Sequence, residues 1–386
     1  MLTPTEIRES RPDISGAIEV SQSNPSGIAT NEKISASALQ DGERPAFSFL
    51  LVNYNMAELI GRCIQSIQRT LPEHLSAEFL VADNSSDPRF KLASETLANA
   101  RIIECESSAW VDALNRLLPL AVGKYCIVMH TDVELSAGCL ETLYRYLETH
   151  PRVAIASPDL YYPDGTPCKI RTQFPTLRSE LAKTANEVTR ALSGRSVLRE
   201  ESCWDRSQDA QVDMVMSVCM VLRREFLNKV GTLDPRLRVY YANDYLAAKA
   251  AQMGYACGYV SAAKAVHFER YTPSDAYSGS PEMAYKKDAF SSLARMQADY
   301  LVFLRELYAG WKVFLFRVLL LLQDVMLLAA QLKSFRSRSG NIRQVVAAIR
   351  MLCYLKPQAA AQNGRGVARS AINTSDGGEP ASEGLK

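Results

Sequence analysis

Between residues 46 and 275, short runs of β-branched and aromatic residues alternate with stretches of helical periodicity, and this alternation constrains the fold more than any other feature of the chain. FSFLLVNY (47–54), FLVAD (79–83), RIIEC (101–105) and the apolar run Tyr125 to Met129 read as strands. Between the first two, AELIGRCIQSIQ (57–68) sets Leu59, Ile60, Cys63, Ile64 and Ile67 on one helical face, and a second helix is predicted near 109–121. Such alternation predicts an α/β fold, a parallel sheet with helices on both faces. In sheets of this kind ligands sit at the carboxyl ends of the strands. Here three of those ends are polar: Asn53-Tyr54-Asn55, Asp83-Asn84-Ser85-Ser86-Asp87 and His130-Thr131-Asp132-Val133-Glu134.

The remainder of the 386 residues divides by composition. Residues 1–45, rich in Ser, Pro, Asn and Glu, are predicted to be a disordered leader, and their start lacks the apolar core of a secretory signal. The α/β domain is expected over 46–275, a helical region over 276–356, and a disordered tail over 357–386. Within the helical region, 311–332 is nearly all apolar and is followed by Lys333, Arg336, Arg338, Arg343 and Arg350. Arg317, Asp324 and Gln331, with Gln323 beside them, form a polar stripe on that helix. Two charges near a bilayer centre cost roughly 2.5–3.5 kcal/mol each, and a dozen apolar residues return roughly 0.3–0.6 each, so spanning is not compelled. The reading favours a helix lying in the interface, on the cytoplasmic face of the cell membrane, with the basic stretch toward anionic lipid. Burial of the helix against the α/β domain, or in a homo-oligomer, stays open. The net charge of +2 gives no reason to expect nucleic acid. Nine cysteines, odd in number and without a C-x-x-C pair, argue against a disulfide framework and a zinc knuckle and fit a reducing compartment.

Residue chemistry suggests roles for the polar strand ends. Asp83 can accept hydrogen bonds from a nucleobase or ribose. Asp132 and Glu134, two apart, offer oxygen ligands to a hard cation held against a diphosphate. Arg171 can pair with a phosphate as a bidentate donor. A single aspartate at a strand end is ordinarily a turn or cap residue, but three polar ends in succession are harder to assign to turns alone.

The order of these motifs resembles the family-2 glycosyltransferases, inverting enzymes with a GT-A fold, and within them the rhamnosyltransferase-like branch. The matching stretches are Val52 to Asn55, Asp83 to Ser86, Asn115 with Gly123-Lys124-Tyr125, His130-Thr131-Asp132, Asp164-Gly165, Arg171 to Thr176, Val212-Asp213, Arg223-Arg224, Val230-Gly231 and Val266-His267. They cover about residues 46–270. The resemblance implies a pyrimidine nucleotide-diphosphate sugar across Asn53, Tyr54, Asn55 and Asp83, with Asn115 and Arg171 assisting. It also implies Mg²⁺ or Mn²⁺ on Asp132 with Glu134 or His267, and a glycan or lipid-linked glycan as acceptor. Met214 and Ser217 stand where the family carries Trp and Gly. The acidic pair that supplies the family's base is usually E-D-x-D-L, and here the chain reads Ala242-Asn243-Asp244-Tyr245-Leu246. A one-residue shift makes Asp244 the base; the competing reading makes it the N-cap of a helix beginning near Tyr245. The unshifted register, with Ala242 and Asn243 on the pair, keeps a second reading open: a catalytically silent nucleotide- or glycan-binding relative. A nucleotidyltransferase would carry a Gly-rich phosphate loop after the first strand, and residues 53–58 do not.

Overall fold

The chain alternates strands and helices from its first described strand onward. β1 (Phe47–Asn53), α1 (Ala57–Thr70), β2 (Ala77–Asp83), β3 (Ala100–Glu104), α2 (Trp110–Leu117), β4 (Tyr125–Met129), β5 (Val133–Leu135), α3 (Cys139–Thr149) and β6 (Val153–Tyr161) come first. α4 (Leu177–Ser193), β7 (Ala210–Val212), β8 (Cys219–Arg223), α5 (Arg224–Val230), α6 (Ala242–Gln252) and β9 (Ala256–His267) follow, then the helices α7 (Ala289–Leu307), α8 (Gly310–Lys333) and α9 (Ser339–Tyr354). This computed structural model describes residues 44–54, 56–85, 100–105, 109–168, 173–193, 206–268, 289–333 and 339–354. The expected tail, all but the last two residues of the expected leader, Asn55 and Arg171 lie outside the described residues.

The strands form one mixed sheet in the order β3-β2-β1-β4-β8-β6-β9-β5, with β7 also paired to β9. β1 to β4, β6 and β9 run one way; β5, β7 and β8 run the other. β4, at the centre, is apolar throughout because both faces are covered: every one of its residues is buried. On one face α1 turns Ile60, Cys63, Ile64 and Ile67 into a core with Phe49, Val81 and Ile127. On the other, α2 turns Val111, Leu114 and Leu117 onto Leu50, Leu80 and Val128. Gly123 fixes where β4 begins, since a Cβ there would lie 2.6 Å from the backbone nitrogen of Ser48 in β1. The antiparallel β8, set between β4 and β6, was not legible in the sequence. Its buried run Cys219 to Leu222 has the same composition as a parallel strand, and only its pairing with β4 decides its direction.

The C-terminal helices pack on the α/β layer through a third apolar cluster, in which Tyr300, Phe303 and Leu304 of α7 and Phe316 and Leu320 of α8 meet Ala248 of α6. Among the described residues, no helix is long and apolar enough to cross a membrane. Two residues of the polar stripe of α8, Gln323 and Asp324, turn inward. Asp324 is 3% exposed and accepts a hydrogen bond from Gln297 Nε2 at 2.9 Å, and Gln323 Nε2 donates to Thr184 Oγ1 of α4 at 2.8 Å.

Candidate active site

Parallel pairing sets Asn53 opposite Asp83. Asn53 Nδ2 donates to Asp83 Oδ1 and to Ser85 Oγ, each at 3.0 Å, and Asp83 Oδ1 also accepts from the backbone of Ser85 at 3.0 Å. The two strand ends thus form one rigid polar corner, with Tyr54 half-buried beside it. Next to Asp83 stands Asn84, 5% exposed, whose Nδ2 and Oδ1 have no hydrogen-bond partner among the described residues. A buried amide without partners is costly, so this side chain is disposed toward a ligand. The sequence places Asn84 in a polar strand end and in the matching stretch Asp83 to Ser86 but assigns it no role of its own, because Asn after a strand is ordinary turn chemistry.

The end of β4 supplies the second group of residues. His130 follows Met129, and its backbone N–H donates to Val218 O at 2.9 Å. Val133 pairs with His267 at the end of β9, which brings that imidazole to the loop carrying Asp132. His267 Nε2 lies 3.4 Å from Asp132 Oδ2, and one potential ligand atom from each of His130, Asp132 and His267 lies within 4.8 Å of the others. Burial pushes the Asp132 carboxyl up, but the hydrogen bond and charge of His267, and then the charge of His130, outweigh it and hold the group below its ordinary value. The cluster therefore keeps a carboxylate ionised between two imidazoles, a donor set able to hold a divalent cation. Glu134 is not part of it. β5 points Val133 and Leu135 into the core and Glu134 outward, where Arg62 Nη2 binds it at 2.7 Å. His130 takes the third place that the sequence assigned to Glu134; it stands two residues before Asp132 in the same polar strand end, but residue type alone ranked the carboxylates first.

A third element closes the site. α6 starts at Ala242, preceded by Tyr241 in the left-handed conformation (φ 59°). Asp244 is therefore the third helical residue and not the cap, a correction to the helix start near Tyr245. It is 6% exposed, and its Oδ1 accepts from Asn243 Nδ2 at 2.9 Å. Asn243 Nδ2 also donates to Val215 O at 2.7 Å. Val215 and Val218 thus anchor Asn243 and His130 respectively, and three residues of chain span at most about 11 Å. Asp244 and the His130–Asp132–His267 cluster consequently flank one loop. Of the other carboxylates nearby, Asp213 Oδ2 accepts from the backbone of Phe174 at 2.9 Å and Asp234 pairs with Arg236.

Asn115 has both ends of its amide engaged by the backbone of Leu233. Its Nδ2 donates to Leu233 O at 2.9 Å and its Oδ1 accepts from Leu233 N at 2.8 Å, so it clamps α2 to the turn after α5. An amide matches a peptide group on both edges, which suits Asn to this position.

Residues 48–231 match the family model described as glycosyl transferase family 2. Over this stretch, just under half of the chain, the protein is similar to a family 2 glycosyltransferase domain. The match takes in Asn53, Asp83 and Asp132; Asp244 and His267 lie beyond its end. No curated protein sequence matches the chain. Among solved structures, GalNAc-T7 with UDP, GalNAc and Mn²⁺ is 14% identical with a TM-score of 0.46, over 68% of this chain and 53% of that one. The mannosyltransferase PcManGT from Pyrobaculum calidifontis, in complex with GDP-Man and Mn²⁺, is 16% identical with a TM-score of 0.46, over 81% of this chain and 88% of that one. The chain thus spans about half the length of GalNAc-T7.

Proposed function

We propose that the protein transfers a sugar, with rhamnose the first candidate, from a pyrimidine nucleotide-diphosphate donor to a glycan or lipid-linked glycan, with inversion at the anomeric carbon. The observation that carries this reading is the pairing of a His130–Asp132–His267 cluster with a buried Asp244 across one short loop. Asp83 and Asn84 present an acceptor and an unpaired amide where a nucleobase would lie. Asp132, His130 and His267 would hold the cation, whose chemistry when bound is to neutralise charge on a departing diphosphate. Two imidazoles and one carboxylate form a mixed nitrogen–oxygen donor set. Mg²⁺ prefers oxygen ligands, whereas imidazole suits first-row transition metals, so the set favours Mn²⁺ of the two. Asp244 would take the proton of the acceptor hydroxyl as that oxygen attacks. In-line attack places base and diphosphate on opposite sides of the sugar, and Asp244 sits on a different segment from the cation ligands.

A thermal-shift panel of nucleotide sugars with Mn²⁺ or Mg²⁺ tests the assignment. A true donor at a hundredfold excess over its Kd adds about 2.7 kcal/mol, a rise of roughly 5–10 °C for a domain of this size. One pyrimidine diphosphosugar is expected to stand out, more with Mn²⁺ than with Mg²⁺. No shift with any donor would overturn the reading, and binding without transfer to any acceptor would favour the silent relative.

A further inference from the structure

α8 packs inward through Val313, Phe316 and Leu320 and is apolar on its outer side as well. Its polar residues Gln323 and Asp324 face α4 and α7, while Trp311, Phe314, Leu315, Leu322 and Val325 are exposed, the first two at 62% and 60%. Spacings of three, four, seven and eleven put those five side chains on one side of the helix. A soluble protein seldom leaves so large a contiguous apolar strip uncovered without a partner for it.

We propose that this face of α8 docks on the surface of an anionic phospholipid bilayer. Charge selects lipid over a second copy of the chain. From Gly310 to Tyr354 the sequence holds seven Lys and Arg residues and one acidic residue, Asp324, and Asp324 is buried. Two such faces brought together by a two-fold axis would set like charges against each other, whereas an anionic leaflet attracts them. Lys312 Nζ lies 5.6 Å from the ring of Trp311 at the start of the strip, a Trp–Lys pairing suited to the headgroup level, and Arg350 is exposed on α9, which packs on α8. A helix with one lipid-facing side and one protein-facing side lies in the plane of the interface and does not span it, in keeping with the inward Asp324.

The test is co-sedimentation of the purified full chain with vesicles of phosphatidylcholine alone or with phosphatidylglycerol added. Binding is expected to the mixed vesicles, to weaken with salt, and to fall by about tenfold or more in Phe314→Ser/Val325→Ser. Both positions are exposed, so the thermal midpoint of the variant should match the parent. As a measurement free of that variant, Trp311 fluorescence in the unaltered chain should be quenched by brominated lipid, and the quenching should vanish in Trp311→Phe. Failure of the full chain to bind mixed vesicles, or equal binding by the double variant, would overturn the proposal. So would a dimer by light scattering that the double variant dissociates, without vesicle binding, since the face would then join two copies.

Discussion

Asp244 occupies the third position of α6, where a carboxylate gains from the positive end of the helix dipole by roughly 0.3–1 kcal/mol. Asp244→Asn forfeits that modest gain while keeping size and an acceptor oxygen. If Asp244 takes the acceptor proton, the same change lowers turnover by on the order of a hundred- to ten-thousandfold and leaves donor affinity intact, as steady-state rates set beside donor titrations would show. Turnover within a few-fold of the parent would remove Asp244 from the role and pass it to Asp213. At this scale the sequence was legible where chemistry and position coincide. Asp83 and Asp132 fall at strand ends because apolar runs stop there. It was not legible where a partner decides the role: Glu134 and His130 are both polar residues after β4, and only the pairing of β5 with β9 shows which one meets His267.

Among the elements, α7 holds the turn that aims α6. Asp299 is fully buried, and its Oδ2 accepts from the backbone N–H groups of Arg238, Val239 and Tyr240 at 3.2, 3.1 and 3.0 Å. Directly after them Tyr241 adopts its left-handed conformation, with its ring 4.9 Å from Tyr300 and stacked on Phe303. Lys249 of α6 pairs with Glu306 at 2.5 Å to secure the far end of the same contact. Asp299→Ala leaves three N–H groups without their acceptor. Because that turn is half-exposed, water recovers part of the loss, and the expected cost is roughly 1–3 kcal/mol, read from the urea midpoint. Turnover should fall more than donor affinity, because the turn leads to Asp244 and not to Asp83. Equal losses in both, or neither, would mean that α7 supports the fold without aiming the helix. The sequence signalled a helix over this region, but helical periodicity says nothing about which loop a buried aspartate will grip.

Across the whole molecule, buried carboxylates set the response to acid, and their signs differ. Asp159, at the β6–β9 seam, is fully buried, paired with Arg206 and with Lys264 Nζ at 2.8 Å. Burial pushes its carboxyl up, but hydrogen bonds from Lys264, Tyr161 and Arg206 prevail and hold it below 3.8. Such a group binds fewer protons folded than unfolded, so its contribution is present above 3.8 and is lost as pH falls through the folded value. Asp132 acts in the same sense. Asp299 acts in the opposite one: burial raises it above 3.8 against the pull of its backbone donors, so its ionisation subtracts stability as pH climbs past 3.8. Asp159 has two cationic partners in its favour and Asp299 has a net penalty, so their replacements should tilt the pH profile in opposite directions. Asp159→Asn breaks a buried pair whose partners are partly exposed, at roughly 2–4 kcal/mol near neutral pH. That deficit should shrink below about pH 4, where the parent's own carboxylate is being protonated. Asp299→Asn should show the reverse slope, losing less stability than the parent as pH rises from about 4 to 7. Urea midpoints of the three proteins across that range decide the matter: parallel profiles would mean that neither carboxylate titrates differently in the folded and unfolded chain.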